Sequence, residues 1–166
     1  MHLWVLHAYD TTTIYLLVGS TILGSFEHSR RENVMQDNGI GYTVEVSGQV
    51  AEVVTSLTQE LKSRGFGVLS NIDVKKVIKE KIGEDMNDYV ILDVCSPRHA
   101  KNALDAHKEV GLILPCKIAV FQDRGKTRAS LYRPTQALKV LGFSDLDSTA
   151  FEVEEQLVGA IKALSI

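Results

Sequence analysis

This chain of 166 residues carries no large excess of charge of either sign: 18 lysines and arginines face 21 aspartates and glutamates, a formal net charge of −3. It therefore lacks the basic footprint that holds a phosphate backbone, and its aromatics, 7% of the residues, are few and scattered. No nucleic-acid surface is expected. Cysteine is scarce as well, with two residues, Cys95 and Cys116, and no convincing cleavable signal peptide precedes them. That excludes a disulfide-stapled secreted scaffold and points to a reducing, cytoplasmic setting, where any bond between them would be transient or regulatory. Catalytic signatures are missing too. There is no C-x-x-C pair and no recognisable local Ser-His-Asp motif, and Gly65-Phe66-Gly67 is no phosphate loop because no helix follows at once.

Long hydrophobic runs are also wanting. Thr11 to Phe26 is apolar and uncharged but only 16 residues long, short of the ~20 that span a bilayer as a helix. Residues 1–34 leave three readings: a short anchor with Arg30 and Arg31 on the cytoplasmic side, an apolar arm packed on the domain or on a partner, or a mis-called start with the protein beginning at Met35. A membrane contact is expected only on the first of these, which would make the protein membrane-tethered.

What is present, 45% hydrophobic and 23% charged residues, suits one ordinary globular domain over residues 35–166. Tyr42, Val44 and Val46 alternate with polar neighbours as a half-buried strand does. Val50, Val53, Val54, Leu57 and Leu61 then recur at helical spacing up to Gly65. A second strand, Phe66 to Ile72, runs into Asp73 as N-cap of a short helix with Val74, Val77, Ile78 and Ile82 inward and Gly83 closing it. Lys75, Lys76, Lys79 and Lys81 on that helix read as a solvated face.

The chain is organised around Tyr89 to Cys116. Tyr89 to Cys95 is an apolar strand; Ser96-Pro97 supplies an N-cap and a proline at the first helical position. Alternation puts Val90, Leu92 and Val94 on a core face and Tyr89, Ile91, Asp93 and Cys95 on the other. Cys95 would stand just ahead of a helix N-terminus, which favours a thiolate where solvent reaches it. The helix should bury Ala100, Ala103 and Leu104. Cys116 to Gln122 and Thr127 to Tyr132 read as a hairpin, Pro134 to Gly142 as a brief helix, and Thr149 with Glu152 as the capping box of a terminal helix with Phe151, Leu157, Val158, Ile161 and Leu164 inward. Five strands and about five helices, not strictly alternating, predict an α+β fold: two layers, a mainly antiparallel sheet covered by helices.

The motifs GFGVLSNIDV at 65–74, CSPRHAKNAL at 95–104 and GLILPC at 111–116, in this order of elements, resemble domain-of-unknown-function family 302 over about residues 41–164. The resemblance implies a compact α+β fold similar to the TATA-binding-protein-like arrangement, and a homodimer. It implies no reaction. It also places the family's two cysteine positions on Cys95 and Cys116.

Three functional readings follow. In a thiol-redox protein Cys95 would attack and Cys116 resolve, with His99 as a possible base. In a soft-metal site Cys95, His99 and Cys116 would hold Cu(I) or Zn, leaving zinc one ligand short. In a small-ligand-binding or regulatory module Tyr89, Ile91 and Asp93 would make a pocket or dimer surface with Cys95 and Cys116 lining it. Asp93 should pair with Lys117 or Arg128, and His107 reads as structural. The binding module is the preferred reading, with its ligand and any cofactor unidentified. An exposed Cys95 within hydrogen-bond reach of His99 or Asp93 would argue for an enzyme instead.

Overall fold

The computed structural model describes residues 35–165, and the three readings of residues 1–34 lie outside them. Six strands form one sheet: β1 (Gln36–Asp37), β2 (Gly41–Val46), β3 (Gly67–Asp73), β4 (Tyr89–Cys95), β5 (Cys116–Asp123) and β6 (Lys126–Tyr132). Their order is β1-β2-β6-β5-β4-β3, with every neighbouring pair antiparallel. Among the described residues five α-helices accompany them: α1 (Val50–Ser63), α2 (Val74–Ile82), α3 (Pro97–Ala106), α4 (Pro134–Leu141) and α5 (Asp147–Lys162). The α+β class expected from the element pattern is what the chain adopts. One strand, β1, escapes sequence reading because two residues are too few to show a period.

Alternation decides which side of the sheet is dry. Val44, Val46, Leu92, Val94, Cys116, Ile118, Val120, Ala129 and Leu131 all point to one face, where they meet Val53, Leu57 and Leu61 of α1 and Leu157, Ala160 and Ile161 of α5. Leu57, Leu61, Leu92, Ile118, Leu157 and Ile161 are fully enclosed. Truncating one of these to alanine would cost about 2–5 kcal/mol. A second, smaller apolar cluster joins α3, α4 and α5 through Ala103, Leu138 and Ala150, closed by Val110 and Leu146 from two 3-10 turns.

Three expectations fail. Helix α2 buries none of its residues, and Val77 and Ile82 are 44% and 62% exposed. It follows β3, the last strand of the sheet, and the 3.6-residue period predicts an apolar stripe but not a layer to receive it. In α3 only Ala103 is buried. The terminal helix starts at Asp147 rather than near Thr149, with Leu146 at an N-cap position that carries no side-chain bond, because the preceding 3-10 turn Ser144–Leu146 runs straight into it. Its buried stripe is therefore Val153, Leu157, Ala160 and Ile161, and Phe151 is left 62% exposed. Other signals held: Asp73 accepts from the Lys76 N–H, and Gly83 and Gly142 close their helices at φ +76°, a left-handed conformation that glycine adopts without strain.

Candidate functional site

Strand β4 ends at Cys95, and Ser96 with Pro97 turns the chain into α3. Opposite β4, the β5 strand begins at Cys116, whose cross-strand partner is Val94 and not Cys95. The register is offset by one residue, so the two cysteines are not cross-strand partners although their strand ends adjoin. Both are free. The expected cysteine pair is therefore not formed, and among the described residues no group of three histidine, cysteine or acidic side chains is placed to hold a metal. The Cys95, His99 and Cys116 ligand set is corrected accordingly.

The thiols are also quiet. Cys116 is 5% exposed, and burial pushes its pKa up to about 11. Tyr132 reaches over from β6, its hydroxyl donating to the Ile113 carbonyl at 2.9 Å and lying 3.8 Å from the Cys116 sulfur. Cys95 is half-buried, and burial raises its pKa too. A helix N-terminus favours a thiolate where solvent reaches it, and at half-buried Cys95 burial acts in the opposite direction. Neither His99 nor Asp93 hydrogen-bonds Cys95. Asp93 is committed elsewhere: Lys117 Nζ lies 2.5 Å from one oxygen and Ser70 Oγ 2.6 Å from the other. These two bonds, Lys117 first, hold its carboxyl below the usual range. The ion pair anticipated for Asp93 thus forms with Lys117, while Arg128 goes to Asp123 at 3.1 Å.

Tyr89 and Ile91 occupy the face expected of them. With Ile40, Lys117, Ala119 and Ser130 they border a shallow hollow of about 330 Å³ on the open side of the sheet, and Tyr89 stacks on Phe121 with ring centres 5.2 Å apart. Cys116 lies on the opposite, core-facing side, and the five residues expected to form one pocket are not brought together: Tyr89 and Ile91 border this hollow, Cys95 and Cys116 line a separate cavity, and Asp93 lines neither.

The second place is more enclosed. A cavity of about 50 Å³ lies where the ends of β4, β5 and β6 meet α3, α4 and α5. Its interior is apolar, built from Val94, Ala100, Ala103, Val110, Leu138 and Val153. The polar groups on its wall are Ser96, His99, Thr149, Tyr132 and the two thiols. Ser96 is the N-cap of α3, yet its hydroxyl caps nothing. It lies 2.9 Å from His99 Nδ1 instead. His99 Nε2 is 3.4 Å from a carboxylate oxygen of Glu152 on α5. The Glu152 contact is an ion-pair approach rather than a hydrogen bond, and which of Ser96 Oγ and His99 Nδ1 donates follows the ring tautomer. Sequence reading placed Ser96 and Glu152 in caps and missed this array. The i, i+3 spacing of Ser96 and His99 was visible, but Glu152 stands 53 residues beyond His99 and only the packing of α5 against α3 brings it near.

Elsewhere, His107 pairs with Asp145 at 2.9 Å and stacks on Phe143 at 4.1 Å, the structural role expected of it. Lys75 and Lys79 pair with Asp88 and Asp85, fitting the solvated face read for that helix. Among the described residues no helix is long and apolar enough to cross a membrane.

Comparison with known proteins adds the following. A family model described as a domain of unknown function, DUF302, matches residues 42–164. The crystal structure of an uncharacterized conserved protein, DUF302, from Bacillus stearothermophilus is similar to this chain, with 32% sequence identity and a TM-score of 0.73 over 76% of this chain and 98% of that one. No curated protein matches.

Proposed function

The chain belongs to the DUF302 family, whose function is unassigned, and from that premise we propose that it is a small-ligand-binding module. The ligand inserts a short apolar group into the cavity between the sheet ends and α3, α4 and α5, and offers a hydrogen-bonding head to Ser96 and His99. One observation carries this: an apolar interior with a few polar groups converging at its wall, the usual make-up of a small-molecule site. The open-face hollow is larger, but a ligand there would leave much of its surface in water. Binding is favoured over thiol chemistry because Cys95 and Cys116 are both disfavoured as thiolates by burial and neither has a base.

Titration of the labelled protein with n-butanol, followed by amide NMR, tests the reading. Saturable shifts are expected at Ala103, Val110 and Leu138, and they should vanish in Ala100→Leu, which fills the space. Shifts confined to the Tyr89–Ala119 face, or none that saturate, would remove the cavity from consideration. Light scattering on the same sample checks the homodimer expected from the family resemblance.

A further inference from the structure

Building on that cavity as a binding site, we propose that Ser96, His99 and Glu152 form an acyl-transfer centre that hydrolyses short-chain carboxylic esters. Ser96 is the nucleophile, His99 its general base, and Glu152 a positioning residue whose carboxylate faces the far ring nitrogen.

Three independent features converge. An N-cap serine ordinarily spends its oxygen on a first-turn N–H; Ser96 spends it on an imidazole 2.9 Å away. A third group from another helix, Glu152, meets the far ring nitrogen at 3.4 Å, completing the nucleophile, base and orienter order that activates a hydroxyl. Beside Ser96 and His99 the apolar cavity opens, with both on its wall. A serine–histidine contact within one helical turn would mean little alone. Joined to a carboxylate and an acyl-sized space, it has the parts an esterase needs.

The chemistry balances without a cofactor. The Ser96 oxygen attacks the ester carbonyl carbon as its proton passes to His99 Nδ1. The carbonyl electron pair moves onto oxygen beside the first-turn amides of α3, which no side chain caps. Collapse breaks the bond to the alkoxy oxygen, which leaves as the alcohol with the proton from His99. Water then repeats the sequence on the acyl-serine, yielding a carboxylic acid and restoring Ser96. The cavity sets the acyl length. At about 50 Å³ it is about a third of the space that receives a benzene ring, room for about two or three carbons beyond the carbonyl.

The test uses the full chain with 4-nitrophenyl acetate, butyrate and octanoate, read as nitrophenolate release and as the mass of acid-quenched protein. Expected are turnover of acetate and butyrate, about tenfold or more loss with octanoate, and one acyl group mapped to Ser96. Ser96→Ala should abolish the adduct, and His99→Ala should lower acylation about 100-fold or more. Glu152→Gln should lower kcat with KM unchanged, which a merely structural contact would not do. Ala100→Leu, which fills the cavity, should lower butyrate turnover more than acetate turnover. Wild type no faster than buffer, an adduct on any other residue, or full activity in a folded Ser96→Ala would overturn the proposal. Saturable n-butanol binding without acylation would overturn it while leaving the binding reading intact; absence of both would end both.

Discussion

Glu154 and Thr135 are joined twice: the same carboxylate oxygen accepts from the Thr135 backbone N–H at 3.0 Å and from its hydroxyl at 2.5 Å. The other oxygen accepts from Arg133 Nε and from the Tyr42 hydroxyl, each at 3.2 Å. Arg133, the N-cap residue of α4, makes no side-chain cap, so a carboxylate from α5 caps that helix across 19 residues of sequence. All four contacts fall on one buried carboxylate, Glu154 being 7% exposed. Its removal would strand the Thr135 donors and leave Arg133 to Asp37 alone. Glu154→Ala should lower stability by about 2–4 kcal/mol in urea unfolding. A loss below about 1 kcal/mol would mean that water replaces the carboxylate freely.

The Asp93–Lys117 pair makes stability depend on acid. Asp93 has a depressed pKa in the folded protein, so its contribution is present above the unfolded value of about 3.9 and is lost as pH falls through the folded one. Lys117 is 58% exposed, which holds the effect to about 1 kcal/mol. Wild type should therefore exceed Asp93→Asn at pH 7 and converge with it as pH falls through the depressed folded value. Parallel denaturation curves at all pH values would show that Asp93 gains nothing from its charge.

Tyr132 ties the loop before β5 to the sheet through the Ile113 carbonyl. Tyr132→Phe keeps the ring and leaves that acceptor without the hydroxyl, at a cost of about 1 kcal/mol. The same hydroxyl lowers the Cys116 pKa, so the variant should also alkylate more slowly at Cys116. Faster alkylation would indicate that the hydroxyl, by tying down the loop at Ile113, was closing the site.

Much of this was legible in the residues. Alternation in Tyr89 to Cys95 separated Leu92 and Val94 from Tyr89, Ile91 and Asp93 correctly, because a period of two is a local property of the strand. Asp73, Gly83 and Gly142 marked helix ends for equally local reasons. What stayed hidden depends on partners distant in sequence: the exposure of Val77 and Ile82, the capping of Thr135 by Glu154, and the meeting of Glu152 with His99. The cysteines show both sides. Their placement at strand ends was readable, but whether they meet depends on register, and Cys116 stands opposite Val94.

Register and burial together make a prediction for the thiols. With its pKa pushed up to about 11, Cys116 is thiolate in only about one molecule in a thousand at pH 8, whereas an exposed cysteine near 8.5 is about one-quarter ionised. Alkylation of Cys116 by iodoacetamide should be about 100-fold or more slower in the native protein than in urea. Cys95, half-buried and less shifted, should react first. The same displacement costs stability in base. The folded state holds the proton more tightly than the unfolded chain, so stability declines as pH rises from about 8.5 towards about 11. Cys116→Ala should flatten that part of the pH profile. If the decline persists unchanged in Cys116→Ala, another group is responsible and the buried thiol does not set the alkaline limit.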